Sequence, residues 1–254
     1  MKSIRGCSVA LLIVLFTTPA HAAQNSTQRV RAFASLPDWT GYWEQDSFKL
    51  DVSGEPSNLD EGFGVSKLWF ADPPYNPEWE ARYKATPEPP NHAYCKWGFP
   101  AIMESPYTQF ELVITPEQTL FIPIMLSATR QIFTDGRSHP AKADLLYTPT
   151  GDSIGRWEGK TLVVDTIGRE AGPIGDSNQL SDRAHFVERI RLLDKDRMED
   201  QMTIEDPVAF ARPWHVTLTY KRMKTVDRLV PTDCQENDRN PIVNGEFKIA
   251  PPKP

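Results

Sequence analysis

The chain of 254 residues is poor in cysteine, with three, and its apolar run from Val9 to Phe16 is far too short to cross a bilayer. A spanning helix needs roughly 20 apolar residues, so no membrane span is expected. Basic residues do not dominate either, with 28 Lys and Arg against 34 Asp and Glu. An acidic chain gains nothing from releasing phosphate counterions, and no basic cluster is interleaved with aromatics, which excludes nucleic acid as an expected partner. Histidines number five, and none stands at the i,i+4 spacing of a zinc-binding helix or in a Cys/His cluster. No metal is therefore expected. Gly151, Gly155 and Gly159 sit in turn-like contexts without a strand-to-helix phosphate loop, and there is no Gly-x-Ser-x-Gly elbow. The expected cofactor content is none.

What is present at the N-terminus reads as an export signal. Lys2 and Arg5 precede the apolar run, and Ala20-His21-Ala22 precedes Ala23, the order of a secretory signal peptide cut after Ala22. Residues 1–22 are accordingly expected to be removed and the rest to fold in the periplasm or outside the cell, where diffusible nucleotide cofactors are scarce. Cys7 leaves with the signal. Cys95 and Cys234 remain, an even pair in an oxidising compartment, and a disulfide between them is expected, with two free thiols as the alternative. In the chain-entropy view so long a loop contributes on the order of 4–5 kcal/mol. Residues 23–35 read as a flexible leader and residues 36–254 as one β-rich domain.

Within that domain, Asp38 to Glu44 reads as a first strand and Asp51 to Gly64 as a loop. One short helix is signalled by Asn76 as cap, Pro77 at the first position, Glu78 and Glu80 in the first turn, and the Trp79/Tyr83 pair. From Gln109 onward the period is that of strands: Gln109–Thr115 and Thr119–Met125 as a hairpin, Arg130–Thr134, Ile154–Trp157 and Thr161–Ile167 around Glu158-Gly159-Lys160, then Phe186–Leu193, Met198–Glu205 and Trp214–Lys221. So many short strands imply a mainly β fold, a single antiparallel β-barrel or a sandwich with one or two short helices. The barrel is preferred because closure removes exposed edges.

The stretch Ser153-Ile154-Gly155-Arg156-Trp157-Glu158-Gly159-Lys160-Thr161-Leu162-Val163-Val164-Asp165-Thr166 resembles a phrase found in a large set of exported bacterial proteins. Cys95 with Gly98-Phe99-Pro100 and Met103, Asp135 to Pro140, Val187-Glu188-Arg189, Glu205-Asp206-Pro207 with Pro213-Trp214, and Cys234 to Asn237 also fall in the same order. This resemblance covers most of the chain and implies no particular reaction. Gly41-Tyr42-Trp43 is similar to the Gly-x-Trp of the first lipocalin strand, which implies a lipocalin-like barrel. The chain departs from that pattern in its greater length and in the helix after its first strand.

Alternation places Glu188 with Phe186, Ile190 and Leu192 on an apolar face, and Arg130 with Ile132 on another. An inward carboxylate needs a partner. It is either poised as a general base or held in a buried ion pair with the inward cation. Asp135, Arg137 and His139 gather an acid, a base and an imidazole on one turn, expected at the barrel rim. His185 alternates away from Phe186 toward solvent, and Tyr147 and Asp165 are further proton-handling candidates. Trp157, with Trp39, Trp43, Trp69, Trp97 and Trp214, either lines a pocket or packs the core. The leading expectation is a cofactor-independent lyase or isomerase acting on a small hydrophobic or aromatic molecule, such as a lignin-derived aromatic dimer. Glu188 and Arg130 are then catalytic with His139 or Tyr147, and Asp135, Arg137, Trp157 and His185 bind ligand. A non-catalytic periplasmic carrier and an envelope-associated interaction protein are the alternatives, and sealing of the Arg130–Glu188 pair favours the carrier.

Overall fold

The computed structural model describes residues 26–50, 73–85, 99–100, 109–124, 129–174, 178–229, 242–243 and 246–247. The expected signal peptide, Cys95, Cys234, Trp69, Trp97 and the loop from Asp51 to Gly64 lie outside the described residues. Two short helices are present, α1 (Ser26–Phe33) and α2 (Pro77–Ala85), the first within the stretch read as a leader. The strands are β1 (Gly41–Leu50), β2 (Phe110–Ile114), β3 (Gln118–Pro123), β4 (Arg130–Phe133), β5 (Asp152–Glu158), β6 (Thr161–Ile167), β7 (Gly172–Ile174), β8 (Asn178–Leu180), β9 (His185–Leu192), β10 (Arg197–Glu205), β11 (Trp214–Arg222), β12 (Ile242–Val243) and β13 (Glu246–Phe247). Nine of them close into one barrel in the order β1-β11-β10-β9-β6-β5-β4-β3-β2, and β7 with β8 and β12 with β13 form separate two-stranded ribbons.

Local chemistry accounts for most of these elements. Asn76 Oδ1 accepts the Trp79 backbone N–H at 2.9 Å, and α2 carries its acids in the first turn and Arg82 and Lys84 in the last, which suits the helix dipole. Thr115 Oγ1 accepts the N–H groups of Glu117 and Gln118 and folds β2 back onto β3. Along β10, Met198, Asp200, Met202 and Ile204 are buried while Arg197, Gln201 and Glu205 are exposed, the period-two signature of a wall with a filled inside.

The barrel is mixed, not wholly antiparallel as the strand spacing suggested. β4 and β5 run parallel through only two register pairs, Ile132 with Ser153 and Phe133 with Ile154. Parallel neighbours need a long return, and residues 134–151 supply it as an extended crossover outside the barrel with no helical period to announce it. With two register pairs this seam is the shortest joint in the wall.

The lumen is packed with large side chains: Trp43, Phe110, Phe121, Phe186, Trp214 and Tyr220 are all buried. Edge-to-face contacts join Phe110 to Tyr220 and Phe210 to Trp214. One end is plugged by Trp39, which meets Trp157 edge-on at 5.1 Å and accepts the Trp43 indole N–H on its carbonyl. The Gly-x-Trp glycine has a physical reason here. Gly41 holds φ at +137°, and a Cβ there would lie 2.7 Å from Arg222 Nη1. That guanidinium stacks over the Trp43 ring at 4.3 Å and donates to the carbonyls of Asp38, Thr40 and Lys195. Gly41→Ala is therefore expected to lower unfolding free energy by about 1–3 kcal/mol, read from a urea midpoint shifted down at unchanged slope.

Candidate functional site

Inside the wall, β4, β5, β6 and β9 each contribute one polar side chain to a single network. Arg130 Nη1 donates to Glu188 Oε1 at 2.8 Å and Nη2 to Glu188 Oε2 at 2.5 Å. Nη2 also reaches Thr166 Oγ1 at 3.1 Å and Ser153 Oγ at 3.5 Å, and those two hydroxyls are 2.8 Å apart. Arg130 and Glu188 are both 0 % exposed. The Phe99 ring lies 3.6 Å from the guanidinium carbon as a roof. Phe99 is itself fixed, its N–H donated to the Pro149 carbonyl and its own carbonyl accepting Arg169 Nε at 2.6 Å. Burial pushes the Arg169 guanidinium down to about 10.

Alternation alone indicated that Arg130 and Glu188 face inward, and the structure brings them together. β4 and β9 are not neighbours, because β5 and β6 stand between them, so the pair reaches across part of the lumen and over the two-pair parallel seam. Both Glu188 oxygens are engaged by one fork, a geometry that holds strands together and offers no oxygen without a donor to a substrate.

A second cluster lies on the outer face of β5, β6, β9 and β10. His139, on the crossover, contacts Asp152 Oδ1 through Nδ1 at 2.5 Å and Asp165 Oδ1 through Nε2 at 3.2 Å. His185, on β9, contacts the same Asp165 oxygen through Nε2 at 3.0 Å and Glu205 Oε2 through Nδ1 at 3.3 Å. The result is an alternating chain, Asp152–His139–Asp165–His185–Glu205, drawn from the crossover, β5, β6, β9 and β10. Burial pushes the Asp165 carboxyl up, but the hydrogen bonds and charges of His185 and His139 outweigh it and hold it below the ordinary aspartate range. The hydrogen bond to Asp165 raises the His185 imidazole against the opposing effect of burial. Both imidazoles address one oxygen of Asp165, an arrangement for sharing protons. Among the described residues no group of three or more His, Cys, Asp or Glu is placed to hold a metal ion.

The remaining candidates fall elsewhere. Asp135 and Arg137 pair with each other at 2.6 Å, and Arg137 covers the Phe133 ring at 3.6 Å. Tyr147 is exposed on the crossover. Trp157 packs against the Trp39 plug, and Trp39, Trp43 and Trp214 belong to the core. Sequence reasoning missed Asp152 and Glu205 as partners of the histidines, and it missed Arg222. Asp152 and Glu205 both alternate outward on strands, which is visible; Glu205 stands opposite His185 in the β9–β10 register, whereas the pairing of Asp152 with His139 depends on where the crossover lies.

At the plugged end of the barrel a cleft of about 540 Å³ opens to solvent. Pro37, Leu192 and Leu193 supply its apolar surface. Of its charged groups, Arg222 is engaged by three carbonyls, Asp194 by Arg197 at 2.8 Å and Asp196 by Lys224 at 2.8 Å. Asp38 accepts the Thr40 N–H. Lys160 and Lys195 complete the lining, and among the described residues neither forms an ion pair. Among the described residues the cleft thus joins an apolar surface to two ammonium groups outside any ion pair, beside the carboxylates of Asp38, Asp194 and Asp196. No family model matches the chain and no curated protein matches it, so its function is argued from this wall, this cleft and their chemistry.

Proposed function

We propose that the protein is an exported carrier that binds a small hydrophobic or aromatic molecule with an acidic group at the plugged end of its barrel and releases it unchanged. The observation that carries this reading is the cleft. Its volume lies within the range of small-molecule sites, its leucines suit a ring system, and Lys160 and Lys195 suit a carboxylate. The closure of Arg130 on Glu188 supports a non-catalytic role, because the inward carboxylate expected as a general base already has a guanidinium on both oxygens.

Titration with 2-naphthoate, followed by the emission of the tryptophans beside the cleft, tests the reading against the neutral 2-naphthamide. The carrier binds naphthoate, and the double variant Lys160→Glu, Lys195→Glu weakens it by about tenfold, as two exposed ion pairs predict. Naphthamide binding is weaker in the parent and unmoved by the double variant. Equal affinity of parent and double variant for naphthoate contradicts the site, and no binding of either probe contradicts the carrier. Recovery of a chemically altered ligand from a longer incubation returns the lyase or isomerase reading.

A further inference from the structure

We propose that the Asp152–His139–Asp165–His185–Glu205 chain is a pH-operated latch that holds the crossover of residues 134–151 against the barrel wall in acid to neutral solution and lets its middle lift as pH rises. The geometry of protons carries this. All four contacts run from an imidazole nitrogen to a carboxylate oxygen, at 2.5, 3.2, 3.0 and 3.3 Å. An ionised carboxylate only accepts, so all four are hydrogen bonds only while each ring carries two N–H groups. Removing one proton from either ring sets a nitrogen lone pair against a carboxylate oxygen and turns an attraction into a repulsion.

The crossover is built so that this matters. Its ends are fixed by backbone: Thr134 N–H donates to the Glu117 carbonyl, and Thr148 N–H to that of Gly168. Between them Lys142, Asp144 and Leu146 are exposed, and Leu145 rests against Gly168. Among the described residues the His139 ring is the polar tie from the middle of the crossover to the wall.

Every element around the chain contributes a facing charge of known sign. β5 gives Asp152, β6 gives Asp165 and β10 gives Glu205, all carboxylates. The crossover adds the Arg137–Asp135 pair, whose guanidinium also feels the Asp152 charge. With both rings protonated, two positive charges offset all but one of the three carboxylate charges; with both neutral, the three carboxylates face one another uncompensated. The raised His185 imidazole contributes stability that is fully present below the unfolded value near 6.5 and lost as pH climbs through its folded value. The lowered Asp165 sets the acid limit, its contribution disappearing as pH falls through its folded value.

Trypsin cleavage after Lys142 reads the latch directly, because cleavage of a transiently opened segment follows the open population. Rates are normalised to a synthetic peptide of residues 136–150 at each pH, which removes the protease's own pH dependence. In the parent the normalised rate rises about tenfold or more from pH 6 to pH 8.5, the change expected for losing at least one latch proton over that span. Asp165→Asn and His139→Gln are cut rapidly at both pH values. His215→Gln, which alters an imidazole that contacts Thr203 on the far side of β10, behaves as the parent. A parent rate that is flat with pH overturns the latch. So does either latch variant cleaved as slowly as the parent at pH 6, and His139→Gln decides the matter alone if Asp165→Asn does not fold.

Discussion

Replacing Glu188 by Ala is expected to cost about 3–5 kcal/mol of unfolding free energy, because it strands the buried Arg130 charge without its carboxylate. Arg130→Ala is expected to cost a similar amount by stranding Glu188. Two alternatives bracket the cause. If the pair serves only charge balance, the double variant Arg130→Met, Glu188→Leu recovers most of the loss, since well-packed apolar residues replace buried ion pairs at little or no cost. If the fork also staples the parallel seam, recovery is partial. The β4–β5 joint has two register pairs, and Arg130 connects it through Ser153 and Thr166 to β6 and β9. The seam argues for partial recovery, measured by urea unfolding of both single variants and the double variant in one cycle. Full recovery removes the staple from the account, and a stable Glu188→Ala protein removes the pair's structural role altogether.

The second large effect is expected at Asp206, buried at the opposite end of the barrel from the cleft. Its Oδ2 accepts the Ser181 N–H at 2.7 Å, and its Oδ1 accepts the Ser181 hydroxyl and the N–H groups of Val208 and Ala209. One carboxylate therefore joins the β8–β9 connection to the β10–β11 connection. The latter carries Phe210, which packs on Tyr75 and Trp214. Asp206→Ala leaves three backbone donors without that acceptor and is expected to cost about 3–4 kcal/mol, each bond to a charged group being worth about 1.5–3 kcal/mol before non-additivity. That corresponds to a melting temperature lower by about 10 °C for a domain of this size. Asp206→Asn is expected to fall between, because its amide sets an N–H group against a backbone donor. A melting point within about 1 °C of the parent for Asp206→Ala would show that water satisfies these donors as well as the carboxylate does.

These residues also show what the chain discloses before folding. The inward facing of Glu188 and Arg130 was legible, because a strand's alternation fixes the side on which each residue stands. Their pairing was one of the two readings open for the inward carboxylate, but its path was hidden, since it joins strands that neither follow one another nor are hydrogen-bonded neighbours. The α2 cap and the β2–β3 and β5–β6 hairpins were legible for a local reason: cap, turn and period all lie within a few residues of one another. The parallel β4–β5 seam was hidden because residues 134–151 carry turn residues and no periodic signal, so nothing local distinguishes a crossover from a rim loop. The same gap concealed the outer chain. His139, Asp165 and His185 were each visible as candidates, yet only the path of the crossover sets the first beside the second. The cleft was the least legible, as Pro37, Lys160, Leu193 and Lys195 come from three connections that meet only when the barrel closes.

The central claim is that ligand binds at the plugged end of the barrel, away from the buried ion pair. Amide chemical-shift mapping during titration with 2-naphthoate tests this most directly. The account predicts perturbations gathered at Lys160 and from Leu193 to Asp196, with Arg130, Ser153, Thr166 and Glu188 unmoved. Perturbations centred on Glu188 and Arg130, with the cleft silent, would contradict it.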